Sequence, residues 1–116
     1  MRFDELVLVR LVRPDDWGPL PEDEELQVQD AHLAAVADLH DRGLLLAAGP
    51  AGGPDERVRG FAVMTCGLEE AQEAWAGDPA VLAGRFVAEC TAWLAPAGMV
   101  VAGPGAPPRS VAEAEG

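Results

Sequence analysis

The strongest constraint on the fold is an apolar segment near the start of the chain, DELVLVRLVR at residues 4–13. Extended backbone directs successive side chains to opposite faces. One face carries Leu6, Leu8 and Val12, and the other carries Val7, Val9 and Leu11. Because both faces are apolar, the segment predicts a strand that is covered on both sides.

The rest of the chain alternates helical and extended patterns. Helical spacing covers residues 22–42, which open with an acidic turn and stop before Gly43, and residues 67–75. The remaining extended segments are 44–50, 57–66 and 85–96. A short helical turn begins at Pro79. After residue 96 the chain is rich in Gly, Ala and Pro, and residues 99–101 predict a brief strand there.

The order β, α, β, β, α, β predicts an α+β ferredoxin-like domain. Right-handed crossovers give a four-stranded antiparallel sheet of order 4-1-3-2 with both helices on one face. We predict that this domain spans residues 1–96 and that residues 97–116 form a tail. The second face of the sheet needs a cover, and a second copy supplies it in a homodimer packed face to face. The alternative is that the tail folds back over that face.

The charge balance limits the partners. Twenty acidic and eight basic residues give a net charge of −12, which repels nucleic acid phosphates and anionic membranes. Asp4, Glu5 and Arg10 interrupt the N-terminal apolar run, so that it is too short for a signal peptide or a membrane span. We therefore predict a cytoplasmic protein that binds neither nucleic acid nor membranes.

Missing residue types exclude several kinds of chemistry. The chain has no Lys, so Schiff-base catalysis and a P-loop are excluded. The only Ser, Ser110, lies in the tail, which makes a serine hydrolase a poor interpretation. Cys66 and Cys90 lack CxxC spacing and are interpreted as buried apolar groups beyond disulfide reach. No cofactor motif is present, and we predict no cofactor.

Two histidines lie on the predicted first helix, and one faces its apolar side. At about 100° per residue, His32 falls between Leu39 and Val36, inside the apolar arc. A buried imidazole needs hydrogen-bond partners, and the aspartates of this helix lie on its opposite side. His40 lies nearer the rim and is interpreted as structural. Because about 12 Å separates the two rings along the axis, they cannot share a metal ion, and we predict no metal site.

Asp78 is the candidate partner of His32. It lies between Gly77 and Pro79, so its backbone is extended and its carboxylate is free to cap the following turn. Capping alone would explain this residue. The functional interpretation is that the same carboxylate orients His32 as a general acid/base pair, which contributes about 10²- to 10⁴-fold in rate. The sequence permits both roles at once.

Three blocks of the sequence resemble the YCII-related proteins. They are AHLAAVADLHDRGLLLAAGP at 31–50, GFAV at 60–63 and EEAQEAWAGDPAVLAGRF at 69–86. The resemblance spans about residues 4–95 and implies the dimeric α/β-barrel fold. It also implies an active-site pair of a helical His and an Asp in a DP dipeptide, which correspond here to His32 and Asp78. We predict these two as the catalytic residues.

Two departures from the family pattern concern the substrate. Several relatives carry an Arg three residues before the His, where this chain has Gln29, so that anion contact is absent. The loop 14–25 and the tail are additions that could reshape or close a pocket. Arg10, Arg13 and Arg59 are alternative sources of positive charge. We predict Arg10 and Arg59, which lie in strands, as substrate-binding residues, with ion pairing as the alternative role.

Three hypotheses for function follow. The first is a small-molecule enzyme in which His32, oriented by Asp78, moves a proton on a carbonyl- or hydroxyl-bearing substrate. Elimination, isomerisation and hydrolysis all fit such a pair. The second is a non-catalytic homodimeric protein that binds a small ligand or serves as an accessory. The third gives His32 a purely structural role in the core.

Overall fold

A computed structural model describes all residues, 1–116. Its elements in chain order are β1 (Phe3–Val12), α1 (Glu22–Asp41), β2 (Leu45–Pro50), β3 (Val58–Met64), α2 (Leu68–Ala76), α3 (Pro79–Leu82), β4 (Val87–Pro96) and α4 (Val111–Glu115). None of the four helices combines the length and the apolar composition that crossing a membrane requires.

The four strands form one antiparallel sheet in the order β2-β3-β1-β4, which confirms the predicted order. The central strand β1 pairs with both neighbours, so that Val9 lies opposite Ala62 of β3 and Cys90 of β4. Leu39 of α1 and Trp75 of α2 belong to the same buried cluster as Val9. Both long helices therefore cover one face of the sheet, and the fold is the predicted α+β ferredoxin-like fold.

Residues at both ends of helix α1 stabilise its termini. Its first turn consists of four acidic residues, which interact favourably with the positive end of the helix dipole. At its C-terminus the N–H of Gly43 donates to the carbonyl of His40, and the N–H of Leu44 donates to that of Leu39. These two bonds form a Schellman motif. Gly43 has a φ of 77°, which a residue without a Cβ adopts freely.

The opposite face of the sheet remains open in the single chain. Leu8 is 38% exposed, Phe61 53% and Trp93 40%, and the strand register puts all three on this face. Arg10 and Glu89 pair across it at 2.6 Å. We refer to this surface as the open sheet face. It is largely apolar and carries one ion pair.

The C-terminal segment packs against α1 and leaves the open sheet face uncovered. The backbone N–H of Val111 donates to the Asp30 carboxylate at 2.8 Å. Arg109 forms an ion pair with Asp41, whose carboxylate raises the pKa of the guanidinium group. Both carboxylates belong to the polar side of α1. The alternative in which the tail covers the second face of the sheet is therefore wrong.

The predicted brief strand at residues 99–101 is also wrong. The chain turns after Pro96, where Gly98 adopts a φ of 79°, and residues 99–101 leave the sheet without pairing. The five-residue helix α4, which the sequence pattern did not predict, follows Ser110. The Ser110 hydroxyl caps it by accepting the N–H of Glu113 at 3.0 Å. A helix this short depends on its cap and on its contacts with α1.

Candidate active site

His32 lies on the inner side of α1 and is 7% exposed, as its position in the apolar arc predicted. Its ring lies edge-on to Phe86, with 5.3 Å between the centroids, and 6.3 Å from the ring of Trp75. Phe86 directly precedes β4, and Trp75 is the most buried large side chain of α2. The imidazole is therefore held on two sides by aromatic side chains.

Asp78 connects α3 to His32. Its carboxylate accepts the backbone N–H groups of Ala80 at 3.0 Å and Val81 at 3.3 Å, which caps α3, and Pro79 occupies the first helical position. The same carboxylate lies beside His32, with Oδ1 at 3.0 Å and Oδ2 at 2.9 Å from Nδ1. The capping contact and the contact to the imidazole therefore coexist.

The contact sets the tautomer of the imidazole. A carboxylate only accepts hydrogen bonds, and Oδ2 of Asp78 already accepts two from backbone amides, so Nδ1 of His32 is the donor. In neutral imidazole the proton on Nδ1 leaves a lone pair on Nε2. The hydrogen bonds that His32 makes within the chain are all at Nδ1. Its Nε2 therefore remains able to accept a proton.

A cavity of about 220 Å³ lies beside His32. Strands β2 and β3, helix α1 and the aromatic rings around His32 form most of its wall, and most of the lining is apolar. The C-terminal segment contributes the remaining part through Pro107, Pro108 and Ala114. We refer to this space as the His32 cavity. Its size and composition suit a small, mainly apolar molecule.

The structure separates the two arginines predicted to bind substrate. Arg59 lines the His32 cavity, and its guanidinium group donates to the backbone carbonyl of Glu56 at 3.3 Å. Arg10 lies on the open sheet face, where it pairs with Glu89. In the β1–β3 register Leu11 pairs with Gly60 and Val12 with Val58, so Arg59 is an extra residue in a bulge. Bulges redirect side chains in this way.

Arg85 and Trp17 were not predicted as site residues. The segment 85–96 was predicted as a strand, but β4 begins at Val87, and Arg85 is instead buried before it. Arg85 pairs with Glu25 and donates to the carbonyl of Gly18 at 2.6 Å. Arg85 is the only arginine between Arg59 and Arg109, and this isolated positive charge was the available sequence signal. Trp17 lies in an irregular loop, and no periodic pattern indicated its position.

The cysteines are free, and their surroundings make them weak nucleophiles. Burial raises the pKa of the Cys66 thiol, and the charge of Glu70 raises it further. Burial likewise raises the pKa of Cys90, with a smaller contribution from Cys66. Protonated thiols react poorly, so neither residue is favoured as a catalytic group. No group of three or more His, Cys, Asp or Glu side chains is arranged to hold a metal ion.

Comparison with known proteins matches residues 7–93 to the YCII-related domain. Proteins named YciI from Escherichia coli O6:H1 and Shigella flexneri are each 43% identical over 72 residues, which cover 55% of this chain and 74% of the relative. A solved structure of 5-chloro-2-hydroxyhydroquinone dehydrochlorinase from Burkholderia phenoliruptrix AC1100, in complex with 2,5-dihydroxybenzoquinone, is 23% identical. It aligns with a TM-score of 0.49 over 76% of this chain and 92% of that chain. The matched domain contains His32 and Asp78 and ends before the C-terminal segment.

Proposed function

The chain belongs to the YCII-related family, and from this premise we propose that it is a small-molecule enzyme that catalyses proton transfer. In this proposal His32 is the general base, and Asp78 is the residue that positions its ring. The substrate carries a carbonyl or a hydroxyl group. Elimination, isomerisation and hydrolysis each need a proton acceptor that later returns the proton, which one imidazole can supply without a cofactor.

One observation carries this proposal: His32 is held at Nδ1 and free at Nε2, beside a cavity. A general base needs a defined tautomer, a free lone pair and room for the substrate within hydrogen-bond distance. The Asp78 carboxylate defines the tautomer, and backbone amides hold that carboxylate in place. Packing alone would not require the imidazole to border an internal space.

In the proposed step, Nε2 of His32 removes a proton from a hydroxyl group or from a carbon next to a carbonyl. The imidazolium that forms is stabilised by the negative charge of Asp78, whose carboxylate oxygens lie 2.9 and 3.0 Å from Nδ1. Both side chains are almost buried, so water screens this attraction weakly. The imidazolium then returns the proton to another carbon, to a leaving group or to an oxygen. A positioned base of this kind contributes about 10²- to 10⁴-fold in rate.

Deuterium uptake tests the proposal without knowledge of the physiological substrate. Small ketones such as cyclohexanone and acetophenone are incubated with the protein in D₂O, and exchange next to the carbonyl is followed by NMR. We expect the wild-type protein to accelerate exchange of at least one ketone. We expect His32→Gln to reduce that acceleration by about 10²-fold or more. His40→Gln is the matched control, because His40 lies on the same helix outside the cavity lining.

The outcomes separate the three hypotheses. Exchange that persists in His32→Gln, or the absence of acceleration by the wild-type protein, refutes the proposal. Saturable binding of a ketone without exchange favours a ligand-binding protein. A large loss of stability in His32→Gln, with unchanged ketone binding, favours a structural role.

We also propose that the protein is a homodimer in which two open sheet faces pack together. This proposal is supported by the exposed apolar side chains of that face, which include Leu8, Phe61, Val87 and Trp93. Two sheets packed face to face bury such side chains in a common core about 10 Å thick. Arg10 and Glu89 on this face pair with each other, so that packing the two faces together buries neither of these charges unpaired.

We propose that residues 1–96 form the YCII-related domain and that residues 97–116 are an appended segment, which the end of the family match at residue 93 supports. We propose a cytoplasmic location, which is supported by the two free cysteines, because disulfides predominate in oxidising compartments.

A further inference from the structure

A second cavity adjoins the His32 cavity and is lined by arginines. Its volume is about 270 Å³. Three of the eight arginines of the chain line it, and they are Arg13, Arg59 and Arg85. The residues that line both cavities are Gln29, Arg59 and Phe86. We refer to this space as the arginine cavity. A ligand in the His32 cavity therefore lies next to a concentration of positive charge.

This positive charge is only partly compensated by the protein. With 20 acidic residues and eight arginines, the chain has enough carboxylates to pair with every arginine. Arg85 does pair with Glu25, which is the one carboxylate lining the arginine cavity. Arg13 lies 4.0 Å from the carboxylate of Glu56, a side chain that is 82% exposed. Arg59 donates to a backbone carbonyl instead of a carboxylate. The charges of Arg13 and Arg59 are therefore available to a ligand.

Two buried side-chain donors lack an acceptor within the chain, and each belongs to a residue that lines one of the two cavities. Nε of Arg13, which lines the arginine cavity, is one of them. Nε1 of Trp75, which lines the His32 cavity, is the other. Buried donors in folded proteins are nearly always paired. Both cavities are therefore bordered by residues with a side-chain donor that the chain leaves unpaired.

Trp17 positions two of the guanidinium groups. The Cζ atom of Arg13 lies 4.0 Å from the centroid of the Trp17 ring, and that of Arg85 lies 4.8 Å from it. A guanidinium group stacked on an aromatic ring keeps its edge free to donate hydrogen bonds. Two cations held beside one ring repel each other, and an anion placed near both is attracted to each. The cluster is therefore pre-organised for an oxyanion.

We propose that the arginine cavity binds the carboxylate of a substrate whose apolar body occupies the His32 cavity. This inference rests on the proposed function, because it names the substrate class of the same site. The fork of N–H groups on a guanidinium matches the two oxygens of a carboxylate. An apolar cavity of about 150 Å³ can hold benzene, so about 220 Å³ accommodates one ring with small substituents. The substrate is then a single-ring or short-chain organic acid that carries a carbonyl or hydroxyl group.

Paired probes of equal shape test the carboxylate directly. Benzoate is compared with benzamide, and cyclohexanecarboxylate with its amide, by isothermal titration calorimetry on the full chain. We expect at least one carboxylate to bind roughly tenfold more tightly than its amide, as one charge-assisted contact predicts. Raising the ionic strength should weaken carboxylate binding and leave amide binding almost unchanged, because salt screens only the charged probe.

Substitutions assign the preference to particular arginines. Arg59→Gln and Arg13→Gln should each reduce the ratio of the two dissociation constants, and the double variant should bring it close to one. Both side chains are at least partly exposed, so these variants are expected to fold. Arg57→Gln is the matched control, because it removes an exposed arginine next to the same strand that lines neither cavity.

The result that overturns the inference is distinct from failure of the proposed function. If neither carboxylate binds more tightly than its amide, or if the preference survives in the Arg13→Gln Arg59→Gln double variant, the inference is wrong. Ketone exchange that depends on His32 would still stand in that case. Conversely, the protein could prefer carboxylates in an Arg59-dependent way and yet show no His32-dependent exchange. The proposed carboxylate site would then stand, and the proposed catalysis would be refuted.

Discussion

Substitution of Asp78 separates its two structural roles. The carboxylate caps α3 through the amides of Ala80 and Val81, and it accepts the Nδ1–H of His32. Asp78→Ala removes both contacts. Asp78→Ser keeps a side-chain oxygen that caps helices well, but this shorter side chain does not reach the imidazole. The difference between the two variants therefore isolates the contribution of the cap.

The magnitudes follow from these contacts. Loss of an N-cap costs about 1 kcal/mol. Loss of the acceptor for a buried N–H costs about 1–3 kcal/mol, and water cannot readily replace it, because the side chains of His32 and Asp78 are only 9% and 4% exposed. We therefore expect the free energy of unfolding to fall by about 1–3 kcal/mol in Asp78→Ser and by about 2–4 kcal/mol in Asp78→Ala.

Urea unfolding followed by circular dichroism measures these losses, provided that the slope of the transition is the same in all variants. A double-mutant cycle with His32→Leu then gives the coupling energy of the pair, which we expect to be about 0.5–3 kcal/mol. A coupling energy near zero, or wild-type stability of Asp78→Ser, would refute the assignment of Asp78 as the partner of His32. Equal losses in the two variants would refute the role of the cap.

Three further predictions concern other parts of the chain. Deletion of residues 106–116 should lower the free energy of unfolding by about 1–2 kcal/mol, because it removes one backbone bond to Asp30 and one exposed ion pair. It should also weaken benzoate binding, because the deleted residues form part of the cavity wall, and unchanged affinity in calorimetry would contradict this. If the open sheet faces form the dimer, Leu8→Arg should halve the molecular mass measured by light scattering. Glu73→Arg, on the outer side of α2, is the control and should leave the mass unchanged. A monomeric wild-type protein refutes the face-to-face proposal. Because burial raises the pKa of the Cys66 thiol in the folded protein, this thiol loses its proton at a lower pH in the unfolded chain than in the folded one. The contribution of this thiol to stability is therefore complete below the ordinary thiol pKa and is lost as pH rises through the folded pKa. The free energy of unfolding, measured across that pH range, should decline, and Cys66→Ala should reduce this decline. An unchanged decline in Cys66→Ala would contradict the assignment of the effect to this thiol.

Much of the fold could be predicted because its signals are local. The two-residue period of β1 and the helical spacing of α1 indicated their elements, and the handedness of crossovers limited the sheet to one order. Gly43 marked the end of α1, and the dipeptide Asp78–Pro79 marked the start of α3. Each of these signals depends on backbone preferences within a few residues. The position of His32 inside the apolar arc likewise followed from its own helix.

The C-terminal segment shows where local signals fail. Its Gly, Ala and Pro content indicated a tail, yet α4 forms there and part of the segment lines the His32 cavity. A five-residue helix has almost no intrinsic stability, and bonds to carboxylates of α1 hold this one in place. Those partners lie about 70 to 80 residues away in sequence, so periodicity does not reveal them.

The sequence by itself determined the order of the elements within residues 1–96, the strand order and the burial of His32, because these depend on periodicity, chain stiffness and short connections. It proposed Asp78 as the partner, since the aspartates of α1 point away from the ring and the family resemblance indicates the same residue. Only the tertiary structure decided that His32 borders a cavity and that Arg59, unlike Arg10, lines it. Both arginines lie in strands of the same sheet, but a bulge in the β1–β3 register occurs at Arg59. Register is a property of two paired strands, and neither strand carries it alone.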